Sequence, residues 1–188
     1  MSLLQRIFYI RVPAHMSEGN LSLRPLRFSD APFLKSGFNR EESLRANGLT
    51  SPVSASGTAI RRWIKKTYDL AWCIEVDSRP AGFAGVYRLR PGKSAETSLI
   101  VFDRALWCRG YGGRAFRLVA GTLSVRAGVK ELAVSVLKDN LAALSFWKKM
   151  GFGYSGCKDG ICRMKLDLSR GSSCLSPAKQ LAVKEDSS

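Results

Sequence analysis

From Leu21 onward, hydrophobic and polar positions follow a regular pattern that predicts a series of strands and helices. Residues 21–26 alternate like a short strand, and Ser29-Asp30 can cap a helix that carries Pro32 in its first turn. Ser56 or Thr58 can cap a second helix. This helix is amphipathic, and its polar stripe is basic: Arg61, Arg62, Lys65 and Lys66.

The second half of the pattern predicts a strand meander followed by alternating helices and strands. Residues 71–76, 80–89 and 95–102 are strand-like and are separated by turn residues, which favours antiparallel pairing. A helix over 114–127 ends at Gly128, and Asn140 caps another helix that runs to Met150. Residues 132–136, 152–155 and 161–168 are the remaining strands. The order β-α-α-β-β-β-α-β-α-β-β predicts a mixed α/β fold over 21–168.

The flanking segments and the composition indicate one folded domain between two terminal extensions. Residues 1–20 are predicted to be an N-terminal extension, and the serine-rich residues 169–188 a disordered tail. The chain has 188 residues, 45% of them hydrophobic, which is enough for the core of one domain. Its apolar runs are shorter than the roughly 20 residues of a membrane-spanning helix. We therefore expect a soluble, cytoplasmic protein with no membrane partner.

Cysteine and histidine usage excludes several kinds of chemistry. The five cysteines are odd in number and scattered, so a disulfide framework is not expected. Cys157 and Cys162 flank a predicted hairpin and are interpreted as unpaired thiols. His15 is the only histidine and lies outside the patterned region, which removes the central residue of a histidine-based triad, metal site or general base.

The chain is strongly basic, with 30 Lys and Arg against 15 Asp and Glu and a formal net charge of +15. Such an excess favours a polyanionic partner such as nucleic acid, the ribosome or a phosphate-rich cofactor. The basic residues are spread along the chain, so a merely solvated basic surface remains an open alternative. One group of arginines accompanies a glycine-rich turn: Arg104, Arg109, Arg114 and Arg117.

This glycine-rich turn, Trp107-Cys108-Arg109-Gly110-Tyr111-Gly112-Gly113-Arg114, lies between a predicted strand and a predicted helix. Glycines permit a tight turn whose N–H groups, together with the helix N-terminus, can bind an anion such as a diphosphate. Arg109 and Arg114 can add charge-assisted contacts to the phosphates. A P-loop pattern is absent, and a Rossmann G-x-G-x-x-G is broken by Ala115.

The turn and a second block resemble the GNAT superfamily of N-acetyltransferases. That family has a Gln/Arg-x-x-Gly-x-Gly/Ala turn, matched here by Trp107-x-x-Gly110-x-Gly112, with a tryptophan that resembles the ribosomal-protein acetyltransferase-like branch. About 30 residues later, the stretch from Asn140 to Phe152 is similar to the family's Asn-x-x-Ala-x-x-Phe-Tyr-x-Lys-x-Gly-Phe. The resemblance covers most of 21–168 and implies the GNAT fold, a central, mostly antiparallel mixed sheet flanked by helices.

The resemblance implies direct transfer of an acetyl group from acetyl-CoA to a primary amine without a metal. The acceptor is expected to be a protein α-amine, an aminosugar or a small amine, and the many basic residues favour an acidic or phosphate-bearing one. Nucleic acid or the ribosome as a partner stays an open alternative, as does the choice of monomer or homodimer. The backbone of Ile100, Val101 and Phe102 would bind the pantetheine. The other cofactor-binding residues that it implies are Trp107, Arg109, Gly110, Tyr111, Gly112, Gly113, Arg114, Asn140, Phe146 and Trp147.

The catalytic residues follow less directly from the resemblance. Glu96 corresponds to the family's base, although counting back from the glycine turn puts Thr97 in that slot unless a one-residue β-bulge intervenes. A solvated strand-end glutamate is the competing interpretation, and Glu75 is a second candidate base. Trp147 stands where the family has a proton-donating tyrosine, and an indole cannot act as an acid near neutral pH.

The missing tyrosine leaves several sources for the proton of the departing thiolate. Ser145, a tyrosine elsewhere or water can assist. It also leaves open an alternative class of function, in which a non-catalytic module binds acyl-CoA or RNA through its basic surface.

Overall fold

A computed structural model describes residues 13, 15–46, 50–52, 54 and 56–169. Its centre is an eight-stranded sheet of order β1-β2-β3-β4-β5-β6-β8-β7. All neighbouring strands are antiparallel except β5 and β6, which are parallel. The strands are β1 Met16–Glu18, β2 Leu21–Pro25, β3 Leu70–Val76, β4 Arg79–Arg90, β5 Ser94–Val101, β6 Glu131–Leu137, β7 Gly153–Lys158 and β8 Ile161–Asp167.

Helices cover both faces of the sheet. They are α1 Ala31–Phe38, α2 Glu41–Ala46, α3 Gly57–Thr67, α4 Tyr111–Ala127 and α5 Leu141–Lys149, with short 3-10 turns at Phe28–Asp30 and Arg104–Leu106. On one face, Leu34 of α1 and Ile64 of α3 pack with Phe83 and Phe102. On the other face, Phe116 of α4 and the helix α5 join the main core. This arrangement confirms the predicted mixed sheet flanked by helices.

The predicted caps explain where two of the helices begin and one ends. The Ser56 side chain accepts a hydrogen bond from the Ala59 N–H at the start of α3, and the Asn140 side chain accepts one from Ala143 N–H at the start of α5. Gly128 ends α4 with a φ of 62°, which a residue with a side chain adopts at a cost. The helix predicted from Arg114 begins three residues earlier, at Tyr111.

Three local predictions need correction. The segment predicted to be an extension contains β1, which pairs with β2 and adds a strand to the sheet. Helix α2 was not predicted. Asp30 makes no side-chain cap to α1. Its carboxylate instead accepts hydrogen bonds from the guanidinium of Arg24 and from Arg27 N–H. Arg24 is buried, and its positive charge needs a carboxylate partner there.

The prediction that Cys157 and Cys162 are unpaired thiols is wrong. The β7–β8 hairpin places them directly opposite each other, and they form a disulfide. Residues 1–12 and 170–188, which contain most of the predicted extension and nearly all of the predicted tail, lie outside the described residues. Within the described part, each helix is too short or too polar to cross a membrane.

Candidate active site

The parallel strands β5 and β6 pair over only three residues and then separate. Pairing runs from Ser94 with Glu131 to Glu96 with Ala133, whereas β5 continues to Val101 and β6 to Leu137. The second halves of these two strands therefore face each other across a gap in the middle of the sheet. A free strand edge in a sheet interior needs an extended partner, since its N–H and C=O groups are otherwise left without hydrogen bonds.

Alternate residues of β5 point their backbone groups to opposite neighbours. Phe102 N–H donates to Ala81 O next to β4, and Ile100 lies two residues earlier, so by strand alternation the backbone groups of both residues point toward β4. The Phe102 carbonyl also accepts a hydrogen bond from Arg40. Val101 and Leu99 consequently present their backbone to the gap. Of the three residues predicted to bind pantetheine, only Val101 turns its backbone toward the gap, and Leu99, which was not predicted, does so as well.

The glycine turn provides free donors beside the gap. Helix α4 makes its first backbone hydrogen bond from Arg114 N–H to Gly110 O, and the preceding N–H groups of Tyr111, Gly112 and Gly113 have no acceptor among the described residues. Gly110 has a φ of 84° with open space around it. A Cβ on Gly112 would lie 3.3 Å from the Phe146 ring. The turn therefore presents backbone donors of the kind that can bind an anion, and its role in holding a diphosphate stays a prediction.

The two arginines flanking this cradle have different surroundings. Arg109 is exposed, and no ion pair of its side chain occurs in the described part of the chain. Arg114 instead bonds to Glu18 and Asn20 in the β1–β2 region, and its guanidinium lies over the Tyr111 ring. The prediction that Arg114 contacts phosphate is thus not supported by its observed partners, which tie α4 to the first hairpin.

Four predicted cofactor residues remain: Trp107, Asn140 and Phe146 lie near the gap or the glycine turn, whereas Trp147 lies in the core. The indole N–H of Trp107 donates to Val101 O at 2.8 Å, and Asn140 lies past the end of β6 with its amide oxygen used as a cap. Phe146 is half-buried beside Gly112. Trp147 is 5% exposed and packs edge-on against Phe116, Phe146 and Phe152, so it is a core residue without access to a ligand.

Glu96 lies at the point where β5 and β6 separate, with its side chain on the face that α1 and α3 partly cover. One of its carboxylate oxygens accepts hydrogen bonds from Arg88 (2.9 Å) and Arg163 (2.8 Å). Burial raises the pKa of Glu96, but these two guanidinium groups outweigh burial and lower the pKa below its ordinary value. An ionised glutamate with two arginine partners is a weak base.

The one-residue bulge that would bring Glu96 into the family's slot is absent from β5. The β4–β5 register is regular from Glu96 to Val101, and the irregularity lies on β4 between Tyr87 and Arg90. Thr97 therefore occupies the slot reached by counting, but its hydroxyl bonds to Gly85 O inside the sheet. Glu75, the second candidate base, accepts hydrogen bonds from Arg24 and Ser22 and belongs to a structural network.

A pair of hydroxyl groups beside the gap was missed in the sequence. Tyr68, directly after α3, places its hydroxyl 3.1 Å from Ser98 Oγ on β5. The tyrosine ring crosses β4 over Gly85, where a Cβ would come within 2.3 Å of it. Burial raises the pKa of Tyr68 and keeps its hydroxyl protonated. The signal in the sequence was Gly85 itself, because a glycine inside a strand marks a close approach.

These features fit an acyl-CoA molecule. The gap exposes a strand edge for an extended pantetheine arm, and the α4 N-terminus offers three N–H donors and a nearby arginine for a diphosphate. The hydroxyl pair and Glu96 lie on the α1/α3 face of the sheet, whereas α4 packs on the other. A chain that starts at the α4 N-terminus and passes through the gap therefore reaches these groups with its far end.

Comparisons with known proteins agree with this geometry. A family model described as Acetyltransferase (GNAT) domain matches residues 20–153. No curated protein gave a significant match. Among solved structures, a domain from Methanocaldococcus jannaschii has 16% identity over 79% of this chain and 98% of its own, with a TM-score of 0.69.

Two further solved structures were described with coenzyme A. RimL, a ribosomal L7/L12 α-N-protein acetyltransferase in complex with coenzyme A, has 16% identity over 83% of this chain and 97% of its own, with a TM-score of 0.68. Spermidine N-acetyltransferase from Vibrio cholerae, in complex with CoA and spermine, has 15% identity over 80% and 96%, with a TM-score of 0.66. At these identities the likeness concerns the fold. The family match over residues 20–153, together with the separated strands and the glycine turn, shows that this chain belongs to the acetyltransferase (GNAT) domain family.

Proposed function

We propose that the protein is an acetyl-CoA-dependent N-acetyltransferase that transfers the acetyl group directly to a primary amine. The observation that carries the proposal is the gap between β5 and β6, toward which Leu99 and Val101 turn their backbone, together with the adjacent α4 N–H groups that have no acceptor among the described residues. These two features bind the two chemically different parts of one ligand, an extended amide-containing arm and a diphosphate.

Several residues would hold acetyl-CoA. Tyr111, Gly112 and Gly113 would donate N–H groups to the diphosphate, with Arg109 adding charge. Leu99 and Val101 would pair with the amides of the arm. Val101 O is bonded to the Trp107 indole, so binding through this carbonyl requires the indole to share it or to move.

The acceptor amine would approach from the α1/α3 face, next to Glu96. Acetyl-CoA supplies an activated acyl group; a C–N bond forms, the C–S bond breaks, and its electron pair stays on sulfur. The Ser98–Tyr68 hydroxyl pair would give the proton that sulfur takes up. The amine attacks in its neutral form, so the ammonium first loses one proton through water to Glu96 or to solvent. The acylated nitrogen loses a second proton after the attack, and a weak base suffices for that loss because an acylated ammonium is far more acidic than the free one.

The finer assignments are also proposals. The Trp107 turn resembles the ribosomal-protein acetyltransferase-like branch, and this resemblance concerns the cofactor turn rather than the acceptor. The acceptor class, a cytoplasmic location, any ribosomal or nucleic-acid partner and the choice of monomer or homodimer rest on the sequence alone. The division into a domain over 21–168 with flanking segments needs one change, because β1 belongs to the sheet.

Titration calorimetry with acetyl-CoA, followed by a thiol-release assay over a panel of amines, tests the proposal. We expect heat of binding at submillimolar cofactor and turnover with at least one amine. Arg109→Gln should weaken binding, and Arg45→Gln, which removes an exposed arginine of α2, serves as the matched control. Absence of binding would refute the proposal, and binding without turnover on any amine would favour the non-catalytic alternative.

A further inference from the structure

A groove of about 310 Å³ opens on the α1/α3 face of the sheet, beside the point where β5 and β6 separate. Glu96 lines it, and Glu96 is also the last residue of β5 that pairs with β6. The groove therefore adjoins the place where the acetyl group would emerge from the gap. Its other lining residues are Arg88, Arg90, Ser94, Ala95, Glu131, Ala133 and Arg163.

Positive charge dominates this groove. Three guanidinium groups face two carboxylates, and Glu131 is already paired with Lys165 at 3.0 Å. Arg88 and Arg163 share a single oxygen of Glu96, which leaves their other N–H groups available. Arg90 is exposed and has no ion-pair partner among the described residues. One carboxylate thus holds two guanidinium groups side by side without neutralising both.

An unusual backbone conformation of β4 at Arg88 directs this side chain into the groove. Arg88 has a φ of 51°, a left-handed conformation that costs a residue with a side chain about 1 kcal/mol. It lies in the irregular stretch of β4 between Tyr87 and Arg90, where the register shifts. Bulges of this kind re-aim a side chain, and here Arg88 reaches Glu96 on the neighbouring strand.

We propose that this groove binds an oxyanion group, carboxylate or phosphate, carried by a small acceptor amine, and that Arg88 and Arg163 are its ligands. Two adjacent guanidinium groups match the planar or tetrahedral oxygens of such a group, and charge-assisted hydrogen bonds of this kind are stronger than neutral ones. The volume is at the lower end of the range for small-molecule sites, which favours a small acceptor over a protein.

Glu96 takes a second role in this arrangement. Because its carboxylate stays ionised, it keeps the two guanidinium groups in place before the acceptor arrives, which makes it a positioning residue for them. The amine would then lie close to the gap while its anionic group is held in the groove. This inference rests on the proposed acetyl transfer, which supplies the reaction but does not define the acceptor.

Matched amines test the inference in the thiol-release assay with the full chain and acetyl-CoA. Ethanolamine and phosphoethanolamine differ by a phosphate, and propylamine and β-alanine differ by a carboxylate; 1,3-diaminopropane provides a cationic counterpart. We expect kcat/KM for the anionic member of at least one pair to exceed that of the neutral member about tenfold or more, and the diamine to be the poorest. The phosphate and carboxylate arms show which oxyanion is preferred.

Variants then connect the preference to the arginines. Arg88→Gln and Arg163→Gln should each lower the ratio of kcat/KM for the anionic amine to kcat/KM for the neutral amine about tenfold, and this ratio cancels any change in the basicity of Glu96. Arg45 is an exposed arginine that is likewise paired with a glutamate, on α2, and Arg45→Gln should leave this preference unchanged. Circular dichroism checks folding, and the two independent variants keep the test decisive if one of them fails to fold.

The outcomes separate this inference from the proposed function. Turnover without preference for the anionic amines, or with preference for the diamine, would overturn the inference and leave acetyl transfer standing. A preference that persists in both arginine variants would also overturn it. Efficient turnover of a protein or peptide amine alone would reject a small acceptor. Failure to bind acetyl-CoA would instead count against the proposed function itself.

Discussion

The hydroxyl of Tyr68 lies 3.1 Å from Ser98 Oγ, across the backbone of Gly85. This contact connects the end of α3 to the half of β5 that faces the gap. Tyr68 is fixed by edge-on contacts with the rings of Trp63, Phe83 and Tyr87, so the position of its hydroxyl does not depend on Ser98 alone. In the proposed reaction, this hydroxyl pair would supply the proton that the family's tyrosine gives and that Trp147 cannot give.

Removing the Tyr68 hydroxyl should slow the chemical step. In Tyr68→Phe the ring contacts remain, and we expect kcat to fall about a hundredfold, which is the lower range for loss of a general acid. Affinity for acetyl-CoA, measured by calorimetry, should stay within about twofold because the cofactor contacts lie elsewhere. The pH dependence of kcat provides a readout that a change in packing would not alter.

Tyr154→Phe is the matched control for this variant, because Tyr154 is an exposed tyrosine on β7. Its kcat should equal that of the parent protein. An unchanged kcat in Tyr68→Phe would contradict the assignment and direct attention to Ser145 or water.

Gly85→Ala should disturb the same pair from the opposite side. The new Cβ would lie 2.3 Å from the Tyr68 ring, so the ring must shift away from β4 and carry its hydroxyl with it. We expect a loss of about 1–3 kcal/mol in the free energy of unfolding, typical of overpacking, together with reduced kcat. Urea unfolding and the thiol-release assay measure the two effects.

Gly121→Ala gives the opposite expectation for a glycine of α4. The space around Gly121 is open, and alanine in a helix interior is favoured over glycine by up to about 1 kcal/mol. A stability gain in Gly121→Ala with a loss in Gly85→Ala would show that the space above Gly85 is needed for Tyr68. Equal behaviour of the two variants would argue against this requirement.

The fold was predictable where local signals and tertiary structure agree. Ser56 and Asn140 cap helices because their side chains have the geometry that caps require, and that property is local. Strand β1 was missed because three residues carry too little pattern, and its formation depends on pairing with β2. The Cys157–Cys162 disulfide was missed because it depends on hairpin register, which spacing alone does not reveal.

The geometry of the glycine turn was predictable from the sequence, whereas the surroundings of the candidate catalytic side chains were much less so. Backbone donors at a glycine turn follow from local sequence, so Gly110, Gly112 and Gly113 were identified correctly as the turn at the start of α4. The roles of side chains depend on distant partners. Glu96 acquires its two arginines from β4 and β8, 8 and 67 residues away, and Tyr68 meets Ser98 at a separation of 30.

The two arginines next to the glycine turn should behave differently. Arg109→Gln removes an exposed charge beside the free N–H groups of α4, and we expect affinity for CoA to fall about tenfold, with a weaker dependence on salt. Arg114→Gln removes the contacts of α4 with Glu18 and Asn20. It should lower the melting temperature and change the affinity little.

Calorimetry and thermal unfolding of both variants separate these roles. A tenfold loss of CoA affinity in Arg114→Gln, with Arg109→Gln unaffected, would reverse the assignment. It would mean that Arg114 leaves its partners in β1 and the following turn when the ligand binds.

Stability in acid should depend on Asp30. Arg24 and Asp30 are 4% and 3% exposed and form two hydrogen bonds of 2.7 and 2.9 Å. Burial raises the pKa of Asp30, but the hydrogen bonds from Arg24 and Arg27 N–H outweigh burial and hold the pKa below its ordinary value. A carboxyl whose pKa is lowered by folding stabilises the folded protein. This stabilisation is fully present above the carboxyl's pKa in the unfolded chain, about 3.9, and it is lost as pH falls through the carboxyl's pKa in the folded protein.

Asp30→Asn should therefore destabilise the protein at neutral pH and weaken its acid dependence. The variant leaves a buried guanidinium with Glu75 as its remaining carboxylate partner, and loss of one member of a buried pair costs about 3–5 kcal/mol. Urea unfolding at pH 7 and at pH 2 measures both effects, because the contribution of Asp30 is lost only below about pH 3.9. Glu41→Gln, which removes an exposed pair with Arg45, should cost less than about 0.5 kcal/mol at either pH. If Asp30→Asn were as stable as Glu41→Gln at pH 7, the pair would not support the junction of β2 and α1.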